Sequence, residues 1–179
     1  MEHKNTNSIR YIIGILAAAL LILLDQVTKQ LAVSYLKGQN SFVLLKGVFE
    51  LQYLENQGAA FGILQGKKVL FVLLTLVMAV FLLYVYTVLP SGKHFLPLQC
   101  ICVLLFSGAI GNFIDRTLQN YVIDFFYFSL IDFPIFNVAD IYVTCSVALF
   151  IILFLFYYKE ADLDLLAALI FRRKDKKEQ

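Results

Sequence analysis

The chain has 179 residues, 60% hydrophobic and only 16% charged, with a mean hydropathy of +0.78. That composition excludes an ordinary soluble domain and points to one compact membrane domain. A net charge of +2 argues against a nucleic-acid or polyacidic partner.

Four apolar segments can each cross the hydrocarbon core, which takes about 20 residues of helix. They lie at about residues 11–36, 69–89, 95–113 and 138–158. The predicted fold class is therefore an all-α polytopic membrane protein with four transmembrane helices. The first span follows Lys4 and Arg10 in the manner of a signal peptide. DQVTK then stands where a small-residue cleavage site belongs, so the segment reads as a retained span. Asp25 and Lys29, at i and i+4 in its outer half, share one helix face and read as a self-neutralising ion pair.

The first outward loop, residues 37–68, alternates Phe49, Leu51 and Tyr53 with Glu50 and Gln52, the period of a half-buried strand. Breaks at Gly47, Asn56, Gly58, Gly62 and Gly66 predict two or more short strands, whose register the pattern does not specify. The third span brings Gly108, Ala109 and Gly111 to a close-approach face. Asn112, Asp115 and Arg116 leave it at i, i+3 and i+4, which reads either as a helix-end salt bridge or as the rim of a polar pocket.

The second outward loop, residues 114–137, is aromatic. Phe125, Phe126, Tyr127 and Phe128 suit a membrane interface. Asp124 sits among them with Arg116 as its nearest cation in sequence, a setting that raises a carboxyl pKa unless the group is paired. Asn137 and Asp140 open the fourth span in the pattern of a capping box. Capping alone is worth about 0.3–1 kcal/mol to Asp140, small against the few kcal/mol that an intramembrane acid costs. Four outer acids, Asp115, Asp124, Asp132 and Asp140, are candidates for a pair sharing one proton, the requirement of aspartyl peptide hydrolysis. Spacing does not select which two.

Lys/Arg bias places the N-terminus, the PSGKH loop with Lys93, and the tail 159–179 on one side, read as cytoplasmic. The tail, with Lys159, Arg172, Arg173, Lys174, Lys176 and Lys177, decides this against Lys37, Lys46, Lys67, Lys68 and Arg116 outside. Its ADLDLLAALIF stretch reads as a short amphipathic helix on the inner surface. Cys100, Cys102 and Cys145 fall within spans and read as small buried apolar residues. With only His3 and His94, no zinc spacing can be drawn, and no phosphate loop or nucleophile elbow is present.

Five blocks in order, DQVTK (25–29), NQGAAFG (56–62), SGAIGNFIDR (107–116), YVIDF (121–125) and FPIFNVAD (133–140), resemble the motif set of the lipoprotein signal peptidases, or signal peptidase II. The resemblance covers Asp25 to Asp140. It implies a four-span aspartyl endopeptidase of the bacterial cytoplasmic membrane, with both termini cytoplasmic and its active site near the extracytoplasmic face. It also implies a small extracytoplasmic β-rich cradle between helices 1 and 2. The implied substrates are prolipoproteins bearing a diacylglyceryl-modified cysteine, cut just before that cysteine. By motif match Asp124 and Asp140 are the catalytic dyad, and Asp25, Lys29, Asn56, Gly58, Asn112, Arg116 and Asn137 line or brace the substrate pocket. No metal or other cofactor is implied. The implied partners are lipidated prolipoproteins, membrane lipid and globomycin-type cyclic peptide inhibitors, and a monomer is the simplest assembly. Two departures from the pattern are Asn120, where the family often has Gly, and Ser107, where Gly is common. Asn tolerates positive φ, so the turn at 120 is expected to survive.

Two other classes compete on residues alone. A proton-coupled transporter could use intramembrane acids as a relay. Against it, the acids cluster near one face and no inverted repeat is visible. A lipid or peptide chaperone would bind lipopeptide without releasing product.

Overall fold

The computed structural model describes residues 2–58 and 68–171, with the side chains of residues 2–7 and 68 excepted. Among the described residues, five α-helices and three strands run in the order α1 (Glu2–Leu36), β1 (Phe42–Leu45), β2 (Phe49–Asn56), α2 (Lys68–Val88), α3 (Leu96–Gln119), β3 (Val122–Tyr127), α4 (Val138–Phe156) and α5 (Glu160–Phe171), with a single 3-10 turn at Ser129–Ile131. The first four helices are long and apolar enough to cross a membrane. Their outer surfaces are crowded with exposed aliphatic side chains such as Leu16, Val77 and Ile151. A soluble protein would hide such a surface; a bilayer solvates it. The molecule is a multi-pass membrane protein.

Helix α3 is the hub, packing against α1, α2 and α4. Small residues allow this. A Cβ added at Gly108 would stand 2.6 Å from the Ala139 carbonyl oxygen of α4, and one added at Gly111 would overlap the Asp25 carboxylate of α1. Ser107 is fully buried and donates its hydroxyl to the Val103 carbonyl at 2.7 Å, so this departure from Gly is absorbed inside the helix.

Helix α3 extends to Gln119, so residues 114–119, expected in the outer loop, are helical. The polar run Asn112–Arg116 continues the helix because its side chains are partnered across the bundle. The helix ends at Asn120, whose φ of 70° is the left-handed conformation that Asn tolerates.

The expected strands of the first loop form a hairpin, β1 antiparallel to β2, turning through Gly47 at φ 71°. The sheet is completed by a strand from the other loop. β3 pairs antiparallel with β2, with Leu54 opposite Asp124 and Asn56 opposite Val122. This corrects the aromatic-belt expectation in part. Phe125 is buried beneath the sheet with Ile123 and Ala32, and Phe126 packs against Phe49 and Phe136, while Phe128 remains exposed. Strand pairing turned these rings inward.

At the opposite end, Leu89, Phe95, Leu98, Ile101 and Leu153 form a core that Tyr158, between α4 and α5, and Leu166 of α5 complete. The basic run 172–179 lies outside the described residues. Cys102 is buried as expected, but Cys100 and Cys145 are exposed, because each lines an open cavity between elements rather than a packed core.

Candidate active site

The site lies where the sheet end of α1, α3 and α4 meets β2 and β3. Its base is ionic. Lys29, only 1% exposed, lies 2.9 Å from Asp25 Oδ2 and 3.0 Å from Asp115 Oδ2, and donates to Asn112 Oδ1 at 2.8 Å. The expected Asp25–Lys29 pair therefore forms, but as part of a larger group. Asp115 faces Lys29, so the helix-end bridge between Asp115 and Arg116 does not form; adjacent helical residues point about 100° apart. Gln26 ties the group together by donating to Asp25 Oδ2, Asp115 Oδ1 and the Gly111 carbonyl. The Asp25 carboxylate also accepts the Ala139 amide at 2.9 Å, and Asp115 accepts the Ile123 amide at 3.2 Å. One buried cluster thus fixes α1, α3, α4 and β3 relative to one another.

Above it, three asparagines connect two acids. Asn112 Nδ2 donates to Asp140 Oδ1 at 2.8 Å. Asn137 Nδ2 donates to Asp124 Oδ1 at 2.6 Å and to Asn112 Oδ1 at 3.1 Å. Asn56 Nδ2 donates to Asp124 Oδ2 at 2.8 Å, while its own Oδ1 accepts the Gly58 amide at 3.0 Å. The capping box is also present: the Asp140 amide donates to Asn137 Oδ1, and the Asn137 amide donates to Asp140 Oδ2. Asp140 therefore caps α4 with one oxygen and faces Asn112 with the other. Arg116 donates to the Gly58 carbonyl at 3.2 Å, with its guanidinium over the Phe71 ring.

Asp124 and Asp140 open onto one cavity of about 410 Å³ together with Asn56, Asn112 and Arg116. Its remaining wall is mostly apolar, including Phe133, Pro134, Phe136 and Ile141. Burial, and then the neighbouring Asp140 charge, push the Asp124 carboxyl up to about 7, outweighing the amide bonds from Asn56 and Asn137. Such an acid can hold a proton near neutrality.

Of the four candidate acids, the structure brings Asp124 and Asp140 together, gives Asp115 to Lys29, and places Asp132 apart, accepting the Tyr127 hydroxyl at 2.7 Å. The supporting residues Asp25, Lys29, Asn56, Gly58, Asn112, Arg116 and Asn137 all converge here. Residues 59–62 of the NQGAAFG block lie outside the described residues. Gln26 and Phe71 were missed in sequence. Gln26 carried a signal, an amide inside a span beside a buried acid; Phe71 is one apolar residue among many. Among the described residues no group of three or more His, Cys, Asp or Glu side chains could hold a metal ion.

Four apolar helices, a small sheet at one end, and a cavity holding two amide-bridged carboxyls define a multi-pass membrane protein with a polar site at one end of its bundle. Residues 17–156 match the family model described as signal peptidase (SPase) II, and the chain belongs to that family. It is 41% identical over 137 residues to a lipoprotein signal peptidase of Brevibacillus brevis, covering 76% of this chain and 91% of that one. It is 39% identical over 147 residues to the lipoprotein signal peptidase of a Staphylococcus aureus strain, covering 80% and 89%. A solved bacterial membrane enzyme aligns with a TM-score of 0.74 and 37% identity over 83% of this chain and 92% of that chain; a second aligns at 0.71 and 37%, over 82% and 94%. Membership makes the protein a membrane peptidase.

Proposed function

We propose that the protein removes signal peptides from diacylglyceryl-modified prolipoproteins, cutting just before the lipidated cysteine, with Asp124 and Asp140 as an aspartyl dyad. The observation that carries this reading is that the two carboxyls share one cavity and one set of amide bridges. In this reading the two carboxyls share one proton, placed on the buried Asp124, and Asp140 acts as the base. Asp140 sits in the first turn of α4, where a helix N-terminus favours negative charge.

The peptide approaches sideways from the bilayer, its acyl chains along the apolar wall. Asn56, Asn112 and Arg116 hold its backbone. Asp140 takes a proton from water as the oxygen attacks the scissile carbonyl carbon. Asp124 gives its proton to the carbonyl oxygen, stabilising the tetrahedral intermediate. Collapse of the intermediate breaks the C–N bond. The proton on Asp140 passes to the leaving nitrogen and the hydroxyl proton returns to Asp124, so the pair regains its starting state. A globomycin-type cyclic peptide would compete for the same cavity. The sheet end faces outward and both termini face the cytoplasm of a bacterial cell.

The test uses purified full chain and a synthetic diacylglyceryl prolipopeptide. Asp124→Asn and Asp140→Asn are each expected to lower the cleavage rate by about 10²–10⁴-fold while retaining wild-type helix content. Near-normal cleavage by either variant overturns the dyad. Substrate binding without product in the wild type would favour the chaperone reading.

A further inference from the structure

A second built cavity lies at the end of the bundle away from the acids. It occupies about 570 Å³ between α1, α3 and the connection from α2 to α3, within the range of specific small-molecule sites. Its walls are mostly apolar, among them Ile13, Ala17, Leu21 and Leu104, and its lining includes the cations Arg10 and Lys93. Arg10 precedes Asp25 by fifteen residues of continuous helix, about 22 Å along α1. That places Arg10 near the far interface of a hydrocarbon core about 30 Å thick.

Arg10 is unusual among the described residues. It donates to the Leu89 carbonyl at 2.7 Å, the Thr87 carbonyl at 3.4 Å and the Tyr11 hydroxyl at 3.0 Å, yet no carboxylate among the described residues pairs with it. Its buried Nε has no hydrogen-bond partner. Capping the end of α2 accounts for some of this. A helix C-terminus offers only about half a negative charge, so the described residues neutralise the guanidinium only in part, and Lys93 lines the same cavity. A cationic peptide segment is repelled there, and a neutral one leaves the charges unused.

A second apolar groove of about 470 Å³ runs along the other side of Tyr86. The two grooves share Gly14, Tyr86 and Val103. A side chain at Gly14 would overlap the Tyr86 hydroxyl, which donates to the Arg10 carbonyl at 3.0 Å. Gly14 thus seats the Tyr86 ring as a partition, with an apolar channel on each side and cations at one end.

We propose that this region is a binding site for an anionic diacyl phospholipid. The phosphodiester sits between Arg10 and Lys93, and one acyl chain lies on each side of Tyr86. The site is separate from the catalytic cavity and its existence does not depend on the proposed reaction.

Native mass spectrometry of the full chain in detergent tests this, with phosphatidylglycerol and phosphatidylcholine of identical acyl chains as probes. Phosphatidylglycerol is expected to be retained at least about fivefold better. Lys93→Gln, at an exposed loop position, should reduce that retention about fivefold. Arg10→Gln combined with Lys93→Gln should abolish the preference. Lys46→Gln, the same charge change at the sheet end, should leave it intact. Equal retention of the two lipids, no effect of Lys93→Gln, an equal effect of Lys46→Gln, or displacement of phosphatidylglycerol by millimolar inorganic phosphate would each overturn the proposal.

Discussion

Lys29 has three N–H donors, and the site supplies three acceptors: Asp25, Asp115 and Asn112. This matching is what allows an ammonium group to remain in a membrane-level interior. It also has a directional consequence. By claiming Asn112 Oδ1, Lys29 leaves the Asn112 NH₂ pointing at Asp140. The amide is oriented by charge two bonds from the chemistry. Lys29 also draws Asp124 toward its ionised form, but burial and the Asp140 charge outweigh it. The Asp124 carboxyl pKa rises from the usual 3.8 to about 7 in the folded protein. Between those values the native state binds more protons than the unfolded state, so the stability contributed by Asp124 is full below about pH 4 and is lost as pH rises through about 7. Thermal melts of the full chain from pH 5 to 8 should therefore fall more steeply than those of Asp124→Asn. Parallel profiles would remove Asp124 as the titrating group.

At the scale of elements, helix α3 places the polar groups by coming unusually close to its neighbours. Gly108→Ala drives a methyl group into the Ala139 carbonyl, a backbone atom that cannot swing aside. Overpacking of this kind costs about 1–3 kcal/mol, read as a lowered melting temperature of purified protein. Gly92→Ala, with open space around the added methyl, is the matched control and should be neutral. The close-approach face was legible in sequence because Gly108 and Gly111 interrupt an apolar span three residues apart. The four spans were legible for the same kind of reason: hydropathy is a local property. Asp25 with Lys29 and Asn137 with Asp140 were also readable, since each pair sits within one helical turn. The β2–β3 pairing was not. It joins residues about seventy positions apart, and nothing in the alternation of Phe49–Tyr53 indicates that the partner strand comes from the second loop. The burial of Phe125 was lost for the same reason. So was the assignment of Asp115 to Lys29, a contact across two helices that competes with the nearer Arg116.

At the scale of the whole molecule, the two ends are different in kind. The sheet end gathers acids and amides around a cavity, and the opposite end gathers aromatic packing, α5 and the cations Arg10 and Lys93. Basic residues near the second end are retained on the cytoplasmic side of a membrane. In a cysteine-free background, Lys46→Cys should react with a membrane-impermeant maleimide in intact cells. Lys93→Cys should react only after permeabilisation. The reverse pattern would invert the proposed orientation.

For the proposed dyad, the strand from the second loop also sets when activity can begin during synthesis. Asn56 is made early, but its partner Asp124 comes after two further helices have been produced, and Asp140 later still. Long-range pairings form late because the intervening chain must first be ordered, and chains emerge from their N-terminal end. A half-inserted chain therefore holds a hairpin and a lysine but no acid pair. In the proposed reaction, therefore, activity begins only once the last strand and the last span are both in place.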